Sequence, residues 1–264
     1  MIKREQKLNM AMIGTIMTLA WPTMLEQAMQ TAVQYIDTAM VGSLGTSATA
    51  AVGATTTVNW LVGSTVSAFG VGFLSFIARA CGAGDRNAAA KASAQAVLVT
   101  VVAGLFFTAL TLGLSGVIPV WMQVDPSIHD LAARYFFIIY MPMLPRTASI
   151  IFGTVLRAAG DTKTPMKVGV AVNIVNVVLN YLLIYPMRTI SLFGLSVPMI
   201  GAGWGVIGAA VASAAAFTWG GIHITYVLWH HPMISPKGCS LRPDLGILRP
   251  CMKIALPNML QRFG

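Results

Sequence analysis

The chain has 264 residues, of which 56% are hydrophobic and only 9% charged, and its mean hydropathy is +0.74. A soluble domain this poor in charge would lack the polar surface that keeps it dissolved. A formal net charge of +9 would suit a nucleic-acid binder, but the basic residues are spread between apolar stretches instead of gathered in one patch, so both readings give way to an all-α membrane protein.

A helical bilayer crossing takes about 20 residues, and six apolar stretches reach that length. They fall at 12–35, 50–78, 92–121, 131–156, 166–187 and 201–229, and a seventh begins around Ile247. The runs are long and do not alternate with period two, so they are read as helices and not barrel strands. This gives a six-helix lobe over 1–235 and, over 236–264, a linker with the start of a second lobe.

The first stretch carries Glu26 and Asp37 in otherwise uncharged surroundings. Eleven residues separate them, which in a helix is three turns plus roughly 20°, so both carboxylates share one face. Thr23, Gln30 and Gln34 lie on the same side. An acidic group at membrane depth costs about 2.5–3.5 kcal/mol and normally faces a cavity or a partner. The stripe therefore predicts a water-accessible, cation-binding path. Pro22 is expected to weaken the helix and act as its hinge. A cleaved signal peptide is a poor reading of so polar a segment.

In the fifth stretch Asn173, Asn176 and Asn180 stand at i, i+3 and i+7 and occupy an arc of about 60°. Facing the acidic stripe, their amide oxygens and a carboxylate would suit a hard cation or a proton network. The second stretch aligns Thr56, Asn59, Gly63, Ser67 and Gly70. The sixth spaces Gly201, Gly205, Gly208, Ala212, Ser213 and Ala216 for close helix packing, with Ser213 near the site. Gln30, Gln34, Asn59 and Asn173 are expected to line the polar cavity.

Thirteen of the 17 Lys and Arg residues lie before stretch one or between stretches two and three, four and five, and six and seven. The alternate loops hold only Arg134 and Arg188, while Arg146 and Arg262 fall within spans. This positive-inside pattern predicts a multi-pass cell-membrane protein with a cytoplasmic N-terminus. Residues 19–27 and 254–262 match at Ala, Pro, Met and Leu in register, as two parallel six-helix halves would. The chain is thus expected to need a second lobe, as a fragment or as a half that pairs with another polypeptide.

Enzymatic readings find little support. Cys81, Cys239 and Cys251 and the four histidines lack metal-ligand spacing, and no phosphate-binding loop is present. Gly82-Ala83-Gly84-Asp85 superficially matches intramembrane aspartyl proteases, but Asp85 sits beside Arg86 in a basic loop.

Three segments together resemble the multidrug and toxic compound extrusion family of secondary transporters. They are Asp37-Thr38-Ala39-Met40-Val41-Gly42 with Leu44-Gly45, then Ala80-Cys81-Gly82-Ala83-Gly84-Asp85, and Arg157-Ala158-Ala159-Gly160-Asp161-Thr162-Lys163-Thr164-Pro165-Met166 followed by the helix 173–185. The resemblance implies a twelve-helix antiporter of two six-helix lobes. Inward flow of protons or sodium would drive export of organic, often cationic, compounds, with no other cofactor. In one bacterial branch of that family the cation site would correspond to Asp37, Asn176, Asn180 and Ser213, with sodium held at Asp37, Asn176 and Asn180. Position 180 is an asparagine here where that branch has an aspartate. Glu26 joins the coupling set on its helix face alone. A flippase for lipid-linked oligosaccharides and a non-transporting scaffold are the alternatives, Arg146 being the residue that favours the former.

Overall fold

In the computed structural model the described residues are 2–192 and 195–261, with side chains described except at 2–12, 15, 188–192 and 195–199. Arg262, and the side chain of Arg188, therefore lie outside the described residues. The elements are α1 (Ile2–Gly42), α2 (Thr46–Gly82), α3 (Arg86–Leu114), a short α4 (Ile118–Trp121), a 3₁₀ turn (Pro126–Ile128), α5 (His129–Tyr140), α6 (Met143–Ala158), α7 (Lys163–Ile184), the strands β1 (Pro186–Leu192) and β2 (Leu195–Ala202), α8 (Gly205–His230) and α9 (Leu245–Gln261). Among the described residues α2, α3, α7 and α8 are each long and apolar enough to cross a membrane, and α5 with α6 makes a further, bent crossing. The 41 residues of α1 amount to about 60 Å of helix, well beyond the bilayer core of about 30 Å.

The two loops with the sequence Gly-Asp are built alike. At the end of α2, Gly84 has φ +73°, the Asp85 N–H donates to the Ala80 carbonyl (2.9 Å) and the Gly84 N–H to that of Cys81 (3.0 Å). At the end of α6, Gly160 has φ +86°, with Asp161 bonded to Leu156 (3.0 Å) and Gly160 to Arg157 (3.0 Å). These are Schellman closures, whose left-handed position favours glycine. Each aspartate then accepts from an N–H in the first turn of the next helix: Asp85 from that of Ala88 (2.9 Å) and Asp161 from that of Thr164 (3.0 Å). Asp85 is thus a helix cap, in keeping with the rejected protease reading.

Four expected boundaries are corrected. Stretch 131–156 is two helices, α5 and α6, meeting at 49°. Pro142, the residue before α6, removes an N–H and disfavours helix at Met141 before it, so the break was written in the sequence. Stretch 92–121 stops at Leu114 and resumes only as the short α4. Stretch 166–187 ends at Ile184, because Pro186 opens an antiparallel hairpin that pairs Arg188 with Met199 and Leu192 with Leu195. Gly201 consequently belongs to β2, and α8 starts only at Gly205.

Apolar side chains from α2, α3, α5, α6 and α8 form the core, in which Phe73, Phe136, Tyr140 and Met143 are fully buried. Small residues set the closest approaches. An added Cβ at Gly208 of α8 would lie 2.5 Å from the Leu183 carbonyl oxygen of α7, and one at Gly70 of α2 would lie 3.1 Å from Thr154 Oγ1 of α6. Gly63 faces open space, so the expected small-residue face of α2 packs closely only in part. α1 packs chiefly on α7, and much of its remaining surface is open, Met24 and Tyr35 being exposed.

Candidate functional site

Asp37, near the end of α1, meets α7 at Asn180. The Asn180 Nδ2 donates to Asp37 Oδ1 at 2.7 Å and lies 3.2 Å from Asn176 Oδ1, one turn earlier on α7. Asn176 Nδ2 in turn stands 2.9 Å from Ser213 Oγ on α8. Exchanging the two ends of the Asn176 amide places its nitrogen 3.1 Å from both Asp37 oxygens and lets the Ser213 hydroxyl donate to its carbonyl at 2.9 Å. Either way one network ties α1, α7 and α8 together. Asn176 and Asn180 are 6% and 1% exposed, and the Asn180 Oδ1 is buried with no hydrogen-bond partner. A buried, unused amide oxygen beside a carboxylate, a second amide and a hydroxyl is a donor set suited to a hard cation or a proton. The structure thus brings together Asp37, Asn176, Asn180 and Ser213.

The rest of the α1 stripe goes elsewhere. Glu26 receives two hydrogen bonds from Arg157 Nη2, at the end of α6, at 2.9 and 3.0 Å, and its bond partners do not include Asp37. Gly169 of α7 makes room for it, since an added Cβ there would lie 3.1 Å from Glu26 Oε1. The single acidic face expected from the spacing is therefore divided between two partners. Gln30 and Gln34 are exposed, and their side chains make no hydrogen bonds among the described residues. Asn173 is half-buried and likewise unbonded. Pro22 is buried one turn before Glu26, within a helix that runs through it without interruption.

Asn59 belongs to a second cluster that the sequence did not reveal as one. Its Oδ1 accepts from the Tyr140 hydroxyl (2.8 Å) and from Arg146 Nη1 (3.0 Å), and the Arg146 guanidinium stacks 4.8 Å from the Phe217 ring centre. Also unforeseen is the seat of the linker after α8. Gln95 of α3 is buried, its Nε2 donating to the Arg242 carbonyl (2.8 Å) and its Oε1 accepting from the Asp244 N–H (3.1 Å). α9 then lies against α2, where Gly72 meets the Cys251 backbone. A lone buried glutamine in an apolar helix was the available signal for the first of these contacts.

A family model described as MatE matches residues 22–182, which contain Asp37, Asn176 and Asn180. The chain belongs to the MatE family. It is 28% identical over 248 residues to a protein of Thermotoga maritima named probable multidrug resistance protein NorM, covering 94% of this chain and 51% of that protein. It is 26% identical over 261 residues to multidrug resistance protein MdtK of Edwardsiella ictaluri, covering 94% and 53%. A solved structure described as the outward-facing conformation of a multidrug resistance MATE family transporter of the MOP superfamily superposes with a TM-score of 0.83 at 24% identity, covering 94% of this chain and 52% of that one. The MatE fold is thus present, as a multi-pass, all-α membrane lobe, and the chain spans about half the length of these relatives.

Proposed function

We propose that this chain forms the N-terminal lobe of a cell-membrane antiporter. It exports organic, often cationic, compounds in exchange for protons or sodium ions, with Asp37 binding the coupling ion. The observation that carries this reading is the network of Asp37, Asn180, Asn176 and Ser213 across α1, α7 and α8. Charge at Asp37 is held by an amide donor from α7. A proton or cation taken up there competes for that carboxylate and changes how α1 is tied to α7. Pro22 removes one backbone hydrogen bond from α1 and lowers the cost of bending it. The paired Glu26 anchors α1 beside Arg157, while Gln30, Gln34, Asn59 and Asn173 supply polar lining. A second lobe completes the cavity, and the basic loops lie on the cytoplasmic side with the N-terminus.

The test is dye efflux from proteoliposomes holding the full-length transporter, under a proton gradient, a sodium gradient or neither. Efflux of a cationic dye that needs one of the gradients supports the reading. Equal flux under all three conditions contradicts it.

A further inference from the structure

We infer that Arg146 is an anion-reading residue of the lobe, which receives the carboxylate of an aromatic acid. The inference rests on the export reading and adds to it a residue that sets specificity. Arg146 stands near the start of α6 within the apolar body of the lobe, facing Asn59 of α2 and Phe217 of α8. A purely structural buried arginine spends its five N–H groups on carbonyls or a carboxylate. Here one hydrogen bond is made, to an amide oxygen that Tyr140 already shares. No carboxylate pairs with Arg146 among the described residues, whose ion pairs are Arg134–Asp130 and Arg157–Glu26.

The geometry of what is left over names the ligand. Nη1 is taken by Asn59, whereas Nε and Nη2 carry no hydrogen bond among the described residues, and neither is sealed off by the protein. Those two atoms form the side edge of the guanidinium, whose parallel N–H groups match the two oxygens of a carboxylate. Phe217 covers one face at 4.8 Å, and the Tyr140 ring centre lies 5.9 Å away, so the free edge opens beside aromatic surface.

Rhodamine B and its ethyl ester isolate the interaction, because they differ only in whether the carboxylate is free. Their binding to the full-length transporter is measured by fluorescence anisotropy, for the native protein and for Arg146→Met and Arg146→Lys. The free acid is expected to lose about 10- to 100-fold in affinity in Arg146→Met, and the ester less than about threefold. Arg146→Lys keeps the charge without the fork and should fall between, which keeps the test open where Arg146→Met does not fold. Equal losses for the two dyes, or none, overturn the inference and leave the export reading standing. An acidic side chain of the second lobe paired with Arg146 would give that result. Binding of neither dye to the native protein contradicts the export reading and this inference together.

Discussion

Glu26 of α1 and Arg157 of α6 stand 2.9 Å apart, 131 residues apart in the chain, and hold the middle of α1 against the end of α6. The pair is neither exposed nor sealed, with side-chain exposures of 22% and 26%, so it lies between the surface and interior regimes of ion-pair energetics. Arg157 Nε is already buried without a partner, and losing the carboxylate leaves the guanidinium poorly satisfied. Glu26→Gln should destabilise the protein by about 1–2 kcal/mol. In a double-mutant cycle with Arg157→Gln, the double variant should lose less than the sum of the single changes. Strict additivity in detergent unfolding would show that the contact contributes nothing.

Two glycines predicted from sequence to pack helices should respond oppositely. Gly208→Ala pushes a Cβ to within 2.5 Å of a backbone oxygen of α7, which cannot swing aside, and should cost about 1–3 kcal/mol. Gly63→Ala meets nothing within 4 Å and should gain up to about 1 kcal/mol from helix propensity. Thermal unfolding of the two variants checks both signs at once.

The helical lobe was legible because apolar runs of membrane length and a rise in basic residues on alternate loops are strong, local signals. The meeting of Asp37 with Asn176 and Asn180 was legible for the same kind of reason: residues 176 and 180 share a face of α7, and Asp37 is a costly charge that needed a partner. What failed needed information from other elements. A helical wheel places Glu26 and Asp37 on one face, but it cannot show that Arg157 arrives at one end of that face and Asn180 at the other. The hairpin at 186–202 was hidden because only runs of membrane length were sought: its two ends were absorbed into the flanking stretches and its middle lay between them, although Pro186 and Gly203 marked its ends. The Asn59–Tyr140–Arg146 cluster joins three segments and no single one of them announces it.

His231, just past the C-terminal end of α8, has its imidazole pushed below the ordinary histidine range by burial, an effect only partly opposed by Asp161. Its Nδ1 accepts from the Met233 N–H at 3.2 Å, which requires the neutral ring. The folded state thus binds a proton less readily than the unfolded chain, whose histidine titrates near about 6.5. Stability should rise with pH through that region, level off above it, and be lost as pH falls. In His231→Asn, whose side-chain oxygen can still accept, the step should shrink when unfolding is followed from pH 5 to 8. A step of native size would assign it to another group.

Asn180→Asp adds a second carboxylate where Asn180 now donates 2.7 Å from Asp37. Added ligand charge strengthens the hold on a hard cation, and sodium affinity should rise about tenfold. Sodium-dependent thermal stabilisation of the full-length protein measures this, and the same midpoint concentration for native and variant proteins would contradict it.

The central claim is that Asp37 binds the coupling ion, and Asp37→Asn tests it most directly because it keeps the shape and removes the charge. The measurement is gradient-driven dye efflux by the full-length transporter in proteoliposomes, with native and variant proteins inserted to equal levels. Efflux by Asp37→Asn should fall to that of protein-free vesicles while the purified variant remains folded and still binds dye. Undiminished, gradient-dependent efflux by the variant would contradict the account.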